Sequence, residues 1–494
     1  MDFLDPRKRR QHDLKLMIGY GLMTIAIGLT SVILIYGAYG YGINTKTGAI
    51  IQNGLLFVDS QPSGASIFLN NKRQSSTTAA RLVLPAGNYN LTISKEGYRD
   101  WSRKFTLTEH SIERFTYPFL FPAMLTSQNI KLYPSEPQII TQSPDMHWLL
   151  VQSPSADPAN FVFDMYNTGK IDQPPTQLTL PTSVLTVAGA KHSLSVVEWA
   201  SDNNHLLLKH SYLGGDEFII FDRLNPASSL NVSRAFGAAA SKMNLRNSKI
   251  DQLYIYNQAD GSLSLGDIAK TSVQPLLSQV LAYKAYGSDL ISYVTSQNAD
   301  AGQVMARIWE NGKTYPLFTF PAGAKYFVDA AQYSGHWYYA AGSDTANRVN
   351  IYKDPLSGIK DPLIAKAIPM IALSDSGITT LSFSDESRFV GVEAGQKFGI
   401  YDIETQSRYQ YTLAAPLAGE MHWMDGSRLI GLSGGSLLVM DYDAINQQVL
   451  IPTINSDKVY FDKSFTQIFS LAATDGGITF QHTDLRAGVD LPKQ

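Results

Sequence analysis

The stretch Trp199-Ala200-Ser201-Asp202-Asn203-Asn204-His205-Leu206-Leu207 joins an aromatic residue, a polar turn with Ser and Asp, and an apolar run. A polar turn of this composition between apolar segments is typical of the connection between two β-strands. The arrangement recurs, with variations, at Ser143-Pro144-Asp145-Met146-His147-Trp148-Leu149-Leu150, Phe383-Ser384-Asp385-Glu386-Ser387-Arg388-Phe389-Val390 and Trp423-Met424-Asp425-Gly426-Ser427-Arg428-Leu429-Ile430. These copies predict an internal repeat of strand, turn and strand.

A second element recurs eight times: an apolar, aromatic or small residue at the end of a strand, then a polar residue and a turn. Its copies are Phe163-Asp164, Phe221-Asp222, Gly266-Asp267, Trp309-Glu310, Tyr352-Lys353, Tyr401-Asp402, Met440-Asp441 and Phe480-Gln481. They lie 58, 45, 43, 43, 49, 39 and 40 residues apart. A period of about 45 residues with several short strands per unit is typical of β-propeller blades. We expect a C-terminal β-propeller at residues 138–494 with eight blades, or with seven if residues 134–160 form a closing strand.

Both elements resemble motifs of known propellers. The first resembles the Trp-Ser-Pro-Asp-Gly turn of TolB-like and dipeptidyl-peptidase-type propellers. The second resembles the Tyr-Asp-x-x-Thr-Gly hairpin of WD40-like propellers, most clearly in Asp164-Met165-Tyr166-Asn167-Thr168-Gly169-Lys170. The resemblance implies a fold and leaves the activity open.

The segment that precedes the repeats is predicted to be a small all-β domain. Its short alternating segments are separated by turns rich in Pro, Gly and Asn, which is typical of antiparallel strands. The segments are residues 55–58, 66–69, 81–84, 89–93 and 103–107. Together they indicate a β-sandwich.

This segment also carries a family motif. Pro62-Ser63-Gly64-Ala65 stands where the PEGA family has Pro-Glu-Gly-Ala, and Leu84-Pro85-Ala86-Gly87-Asn88-Tyr89 and Gly97-Tyr98 match two further family elements. Residues 53–120 therefore resemble a PEGA domain, with Ser63 in place of the usual Glu. The resemblance implies a spacer or interaction module on a membrane-anchored bacterial surface protein. Residues 121–137 are predicted to be a linker.

Residues 16–45 contain no charged side chain, and Arg7-Lys8-Arg9-Arg10 precedes them. An apolar helix of about 20 residues spans a bilayer, so residues 16–43 are predicted to be a transmembrane helix in contact with lipid. Five basic against three acidic residues in the tail 1–15 favour a cytoplasmic N-terminus. This predicts a single-pass plasma-membrane protein with an uncleaved signal-anchor and extracytoplasmic domains. Signal-peptide cleavage at Ala38-Tyr39-Gly40 is the alternative.

Composition excludes several function classes. The 494 residues carry a formal net charge of −3 and contain no Cys. A charge this small creates no field that would attract nucleic acid, so nucleic-acid binding is not expected. A chain without Cys cannot form disulfides, thiolate zinc sites or cysteine nucleophiles.

One pattern suggests a nucleophile. Gly431-Leu432-Ser433-Gly434-Gly435 fits the Gly-x-Ser-x-Gly motif, in which a sharp turn from strand to helix exposes the serine hydroxyl. The residues that follow, 436–441, belong to a repeat strand. We therefore expect Ser433 to lie in a glycine-rich hairpin.

Other polar and aromatic residues of the repeats are expected to be structural. His147, His205 and His336 are predicted to lie at solvated turns instead of a metal site, because no metal-ligand spacing links them. The recurring Asp residues are expected to cap turn amides rather than bind calcium. The repeat tryptophans are expected in the core between blades rather than on a sugar-stacking surface. They are Trp199, Trp309 and Trp423.

The sequence thus predicts no catalytic, cofactor-binding or metal-binding residues, no cofactor and no enzyme activity. We expect a membrane-anchored extracytoplasmic binding or scaffold protein at the cell surface, whose propeller binds an envelope protein or cell-wall polysaccharide. The alternative is an extracytoplasmic enzyme that acts on glycan or peptide in the central channel of the propeller. Such a site would need carboxylates or His residues from several blades to converge there. A signalling receptor is disfavoured because the tail of about 15 residues is shorter than a folded domain.

Overall fold

The computed structural model describes residues 6–38, 41–43, 50–359, 367–455 and 458–486. The chain divides into two compact units, and the boundary falls between Met124 and Leu125. The predicted tail therefore lies partly outside the described residues, as do the alternative cleavage site at Ala38-Tyr39-Gly40 and the last residues of the predicted propeller.

The first unit begins with helix α1, Pro6–Ala38. Its part His12–Gly37 is long and apolar enough to cross a membrane, and it is the one such helix among the described residues. The predicted span 16–43 extends too far, because Tyr41–Ile43 forms strand β1, which pairs with the start of β2, Ile50–Val58. The glycines near the end of the apolar run are poor helix formers, which explains why the helix ends earlier than the uncharged run.

The rest of the first unit is a sandwich of two four-stranded sheets. The further strands are β3 (Ser66–Leu69), β4 (Lys72–Thr77), β5 (Ala80–Pro85), β6 (Gly87–Ser94), β7 (Trp101–Leu107) and β8 (Ile112–Phe115). One sheet has the order β1-β2-β5 with β8 added parallel to β2, and the other has the order β4-β3-β6-β7. All five predicted segments lie within these strands.

The core of this sandwich lies between the two sheets. Every second residue of β3 is buried, which is the alternation that one covered sheet face requires. Leu56, Ile67, Leu91 and Ile93 are inaccessible to solvent, and Trp101 packs with them. The predicted β-sandwich is therefore confirmed.

The second unit, Leu125–Arg486, contains eight four-stranded antiparallel sheets among its described residues, which form the blades of a β-propeller. Strand β9 (Ser127–Tyr133) comes first in the chain. Blades 1 to 4 follow: blade 1 has β10 (Ile140–Gln142), β11 (Trp148–Ser153), β12 (Val162–Asn167) and β13 (Thr176–Thr179); blade 2 has β14 (Ser193–Trp199), β15 (His205–Tyr212), β16 (Gly215–Asp222) and β17 (Leu230–Asn231); blade 3 has β18 (Lys242–Arg246), β19 (Lys249–Asn257), β20 (Ser262–Asp267) and β21 (Ser272–Leu277); and blade 4 has β22 (Val280–Tyr286), β23 (Leu290–Thr295), β24 (Gln303–Glu310) and β25 (Lys313–Pro321).

Blades 5 to 8 complete the propeller: blade 5 has β26 (Tyr326–Tyr333), β27 (His336–Ser343), β28 (Arg348–Lys353) and β29 (Ile371–Ser374); blade 6 has β30 (Thr380–Phe383), β31 (Phe389–Ala394), β32 (Lys397–Asp402) and β33 (Ser407–Thr412); blade 7 has β34 (His422–Trp423), β35 (Arg428–Ser433), β36 (Ser436–Asp441) and β37 (Gln448–Pro452); and blade 8 has β38 (Tyr460–Phe461), β39 (Gln467–Thr474) and β40 (Gly477–Asp484).

A few short helices connect these strands. The α-helices are α2 (Val232–Phe236) and α3 (Pro355–Ile359), and the 3₁₀ turns are Thr168–Lys170, Thr182–Val184 and Pro226–Ser228. Asn231 caps the N-terminus of α2, because its side chain accepts a hydrogen bond from the amide of Arg234.

Strand β9 closes the ring, because it pairs with β40 as the fourth strand of blade 8. The eight-bladed prediction is confirmed. The seven-bladed alternative is wrong, because residues 140–179 form a complete sheet of their own. The predicted linker 121–137 is corrected in its second half, since β9 lies inside it. The sequence of β9 has no strong alternation of apolar and polar residues, so this pattern does not predict a strand there.

The propeller core lies between neighbouring sheets. The second and third strands of a blade are covered on both faces, so they consist of continuous apolar runs. Leu206, Leu207 and Leu208 of β15 are all inaccessible to solvent. Phe163 of blade 1 packs against Phe221 of blade 2, with 5.6 Å between ring centroids. Because burial on both faces requires continuous apolar runs, the repeat can be recognised in the sequence.

We designate the strands of each blade a, b, c and d in order, with β9 as strand d of blade 8. In an antiparallel blade, the ab and cd connections lie at one end, here named the ab face, and the bc connections lie at the opposite end, the bc face. Hydrogen bonds join a strands of neighbouring blades, as between Tyr283 of β22 and Asn244 of β18. The a strands therefore line the central channel, as in other propellers.

Candidate functional site

Ser433 lies in a hairpin. It is the last residue of β35 and pairs with Ser436 at the start of β36. Gly434 and Gly435 form the turn with φ of 58° and 74°, a region that glycine adopts readily. The Ser433 hydroxyl donates to the carbonyl of Pro416 at 3.1 Å. The strand therefore leads into a strand, which is the predicted arrangement, and not into the helix of a nucleophile elbow.

The three repeat histidines lie at the ab face in three separate blades. Each ring is close to an Asp carboxylate: His147 lies 3.3 Å from Asp145, His205 lies 2.7 Å from Asp202, and His336 lies 2.5 Å from Asp354. Across the part of the chain that the structure describes, no group of three or more His, Asp or Glu side chains is arranged to hold a metal ion.

Three of the recurring Asp residues cap turns as expected. Asp222, Asp267 and Asp402 each accept hydrogen bonds from backbone amides two or three residues further on. In the first and last blades, however, the predicted alignment is three residues too early. The c strands there end at Asn167 and Asp484. Asn167 takes the capping role in blade 1, since its side chain accepts from the amide of Gly169.

Asp164 of blade 1 consequently has a different role. It is fully buried, and its Oδ2 accepts hydrogen bonds from Lys131 at 2.6 Å, Ser153 at 2.6 Å and Tyr133 at 2.8 Å. Burial would raise the pKa of Asp164, but the bonds from these three donors lower it below its usual value. Lys131 and Tyr133 belong to β9. The carboxylate therefore fastens the closing strand to blade 1.

The repeat tryptophans lie between blades. Trp199 donates to Thr141 of the preceding blade at 2.8 Å, and Trp423 donates in the same way to Ser382 at 3.0 Å. Trp309 packs against the core shared by blades 3 and 4. The predicted core position is confirmed for Trp199, which is buried, whereas Trp309 and Trp423 lie half-buried at the edge of the core between blades.

Two acidic residues of the channel strands contact the neighbouring blades. Glu198 of β14 accepts hydrogen bonds from the amide of Leu245 at 2.5 Å and from Asn244 at 3.2 Å, and burial raises its pKa. Asp329 of β26 lies 3.6 Å from Lys284 and accepts a hydrogen bond from Tyr286 of the neighbouring blade. These acids therefore connect adjacent blades.

A cavity of about 210 Å³ lies at the ab face, where four blades meet. Its walls include side chains from the a strands and ab loops of blades 1, 7 and 8, and Asp385 from the ab loop of blade 6. Four of its eleven lining residues are aromatic, namely Trp423, Tyr460, Phe461 and Phe465, and His422 also lines the cavity. A lining of apolar and aromatic side chains with a few polar groups is typical of binding pockets, and at about 210 Å³ this cavity is smaller than the roughly 300–1,000 Å³ of sites for drug-sized ligands.

Asp385 differs from its counterparts in the other ab loops. The corresponding carboxylates accept hydrogen bonds from amides of their own loops, as in Asp145, Asp202, Asp425 and Asp462. Among the described residues, no such bond reaches Asp385. Burial raises its pKa, and the nearby carboxylates of Asp425 and Glu386 raise it further. Asp385 is therefore a carboxylate without a capping role beside an aromatic cavity.

A comparison with protein families identifies the small sandwich. The family profile of the PEGA domain matches residues 53–119, so this segment is a PEGA domain. A comparison of the sequence with curated proteins gives no match.

Several solved propeller structures are similar. An oligogalacturonate lyase in complex with manganese is 11% identical, with a TM-score of 0.38, and the match covers 74% of this chain and 99% of that one. Hsv2 of Kluyveromyces lactis is 10% identical, with a TM-score of 0.37 and coverage of 73% and 100%. A chain of the mitotic checkpoint complex is 11% identical, with a TM-score of 0.33 and coverage of 73% and 95%. Similarity at this level carries no argument about activity.

The chain thus combines an apolar N-terminal helix, a candidate membrane span or signal anchor, with a PEGA domain and an eight-bladed β-propeller. The PEGA domain and the propeller fold together suggest a protein that binds or scaffolds other molecules.

Proposed function

We propose that this chain is a single-pass plasma-membrane protein with a cytoplasmic N-terminus, and that its extracytoplasmic propeller binds another envelope component without catalysing a reaction. The component is an envelope protein or a cell-wall polysaccharide. The observation that carries the proposal is the aromatic cavity at the ab face, at the meeting point of loops from several blades.

The helix supports the membrane part of the proposal. Ile25, Ile33 and Leu34 of α1 expose 60%, 68% and 67% of their surface. Apolar side chains exposed on every side of a helix need lipid around them. Five basic residues lie in the fifteen that precede the apolar run, and Lys46 follows it directly, so the excess of positive charge before the run favours retention of this end in the cytoplasm.

The cavity supports binding at the ab face. Aromatic side chains in a pocket are typical anchors of binding energy. The carboxylate of Asp385 at the same cavity favours a partner group that is apolar along its length and basic at its end, such as the side chain of Lys or Arg. A protein partner offers this group most simply, and the aromatic walls also suit sugar rings.

The channel residues favour a binding protein over an enzyme. Glu198 and Asp329 are the acids that a site in the channel would use, and both accept hydrogen bonds from neighbouring strands. A general base needs a carboxylate that can reach substrate. Turnover of a glycan or peptide that is lost in Glu198→Gln or Asp329→Asn would overturn the non-catalytic part of the proposal.

The experiment is a pull-down of solubilised envelope components with the full chain in detergent. Phe465→Ala and Asp385→Ala should each weaken capture about tenfold or more, because truncated anchor residues at an interface typically cost at least 1–2 kcal/mol. Asp475→Ala is the matched control, since Asp475 is exposed at the bc face of the same blade as Phe465. Equal capture by all three variants would refute binding at the cavity.

A further inference from the structure

One outer face of the PEGA sandwich carries two ordered rows of side chains. The face belongs to the sheet of β2, β5 and β8, in which residues that pair across strands point to the same side. The pairing gives an apolar row followed by a row of an aromatic residue between two arginines. The rows are Ile112, Leu55 and Val83, and then Arg114, Phe57 and Arg81. We name this surface the Arg face.

The Arg face is open to its surroundings. Val83 and Ile112 expose 58% and 52% of their surface. The Arg114 guanidinium lies over the Phe57 ring, 4.9 Å from its centroid, which is a cation–π contact. Among the described residues, no carboxylate forms an ion pair with Arg81 or Arg114. The face therefore presents apolar side chains beside two positive charges that have no acidic partner in this part of the chain.

The outer face of the other sheet has a different composition. Its cross-strand pairs between β6 and β7 consist of polar residues, namely Asn88 with Thr106, Asn90 with Lys104 and Thr92 with Ser102. The Thr106 hydroxyl donates to Asn88 at 2.7 Å, so these groups also bind one another. Such a surface is suited to water. The apolar and basic pattern is therefore particular to the Arg face.

The Arg face lies close to the end of the apolar helix along the chain. α1 ends at Ala38 and β1 begins at Tyr41, and three steps of the backbone span at most about 11 Å. The Tyr41 ring lies 5.1 Å from the Tyr36 ring of α1 and 6.2 Å from the His110 ring. His110 precedes Ile112 of the apolar row by two residues. If α1 spans a bilayer, the sandwich begins at the headgroup layer, where tyrosine is enriched.

We propose that the Arg face docks on the bilayer that α1 crosses, with its apolar row at the headgroup boundary and Arg81 and Arg114 on lipid phosphates. Guanidinium groups bind phosphate through paired hydrogen bonds. Apolar side chains combined with basic ones are typical of proteins that bind at the membrane interface. The proposal rests on the membrane part of the proposed function, because the span places a bilayer beside this face.

The charge of the sandwich fits this partner. Residues 53–120 contain eight Lys and Arg and five Asp and Glu, a formal charge of +3, although the whole chain carries −3. A basic surface near a bilayer is attracted to anionic lipids. Docking would hold the sandwich as a fixed base on the membrane, whereas a simple spacer would tumble freely above it.

Fluorescence quenching by lipids tests the docking on the full chain in vesicles that contain phosphatidylglycerol. The chain has no Cys, so one introduced Cys carries the fluorophore at a single position. Phospholipids with a nitroxide near the headgroup should quench a label at Val83→Cys or Ile112→Cys at least threefold more than one at Ser102→Cys. Ser102 is the matched control, because it is exposed on the polar face of the same sandwich.

A label at Ile33→Cys separates this proposal from the proposed function. Ile33 exposes 68% of its surface near the end of α1, so its label should be quenched whenever the helix is in the bilayer. An unquenched Ile33 label would refute the membrane anchor itself. A quenched Ile33 label together with equal quenching at Val83 and Ser102 would overturn the docking alone. A Val83 label that neither the lipid nor aqueous iodide quenches would mean that protein covers the face, which would also overturn it.

Paired charge variants test the role of the two arginines. In the protein labelled at Val83→Cys, Arg81→Gln with Arg114→Gln should reduce quenching to the level of the Ser102 label. Lys72→Gln with Lys104→Gln removes the same charge from exposed residues of the other sheet and should leave the quenching unchanged. Equal reductions by the two pairs would contradict phosphate binding by Arg81 and Arg114, because the attraction would then depend on net charge alone.

Discussion

Replacing Asp164 by Asn should weaken the closure of the propeller ring. The Asp164 carboxylate is fully buried and joins Lys131 and Tyr133 of the closing strand β9 to blade 1. Removing one partner of a buried ion pair typically costs about 3–5 kcal/mol. Lys131 keeps 33% of its side chain exposed, so solvent relieves part of the loss. We expect Asp164→Asn to lower the free energy of unfolding by about 2–3 kcal/mol.

The assay is urea unfolding of residues 125–494 followed by circular dichroism at pH 7. Asp267→Asn is the matched control, because Asp267 also binds a lysine and a turn amide but lies at the surface, with Lys270 76% exposed. Surface pairs contribute about 0–1 kcal/mol, so the control should change stability by less than 1 kcal/mol. Equal losses in the two variants would refute the role of Asp164 in closure.

The difference in unfolding free energy between wild type and Asp164→Asn should depend on pH. The pKa of Asp164 is lowered in the folded state, so its contribution to stability is present above the ordinary pKa of Asp and is lost as the pH falls through the folded value. The difference between wild type and Asp164→Asn should therefore shrink below about pH 4. A difference that stays constant down to pH 2.5 would mean that the carboxylate charge is not what holds β9.

Three further variants test other parts of the structure. Trp199→Ala should lower the free energy of unfolding by about 3–5 kcal/mol, because a buried indole and its bond to Thr141 are lost; a loss below 1 kcal/mol in urea unfolding would place Trp199 outside the core. Ser433→Ala should leave envelope capture unchanged, and a fluorophosphonate probe should not label the wild type; stoichiometric labelling at Ser433 would contradict the hairpin. Burial raises the pKa of Glu393 to about 7, with Glu420 adding to the effect. A raised folded pKa means that stability is lost as the pH rises through it, so Glu393→Gln should be more stable than wild type by up to roughly 3 kcal/mol at pH 9 and equal to it at pH 4. A thermal melt that shows no gain at pH 9 would contradict this.

The blades were predictable because their inner strands are covered on both sides. Runs such as Leu206-Leu207-Leu208 stand out in the sequence, and the polar turns between them fix the period. The repeat tryptophans followed from the same reasoning. PEGA motifs made the small sandwich predictable as well, since its turns depend on particular Pro and Gly residues.

The closing strand was not predictable on this basis. β9 is an outer strand, and an outer strand needs no apolar run. Its most informative residue is Lys131, whose partner Asp164 lies in another blade. In the first and last blades, the pairs Phe163-Asp164 and Phe480-Gln481 have the aromatic-polar pattern that marks the end of a c strand in other blades. Both pairs lie inside their c strands, where a polar residue follows an aromatic one although both are buried. Periodicity alone therefore misplaced both ends of the repeat.

The contact between His192 and His210 in blade 2 could have been found only in part from the sequence. The two-residue turn Leu213-Gly214 places His210 directly opposite Glu217, and a hairpin predicted from that turn would have paired them. The contact between His192 and His210 depends on a connection between blades that no local pattern specifies. The ab-face cavity is a similar case, because Asp385 and Phe465 come from loops of different blades.

The central claim is that the ab face of a membrane-anchored propeller binds an envelope component, and photo-crosslinking in intact cells tests it most directly. A benzophenone amino acid placed at Phe465 in the cavity should give a discrete crosslinked product in the membrane fraction. The same amino acid at Asp475, on the bc face of the same blade, should give none. A product from Asp475 alone, equal products from both positions, or no product from Phe465 would contradict the proposed binding face.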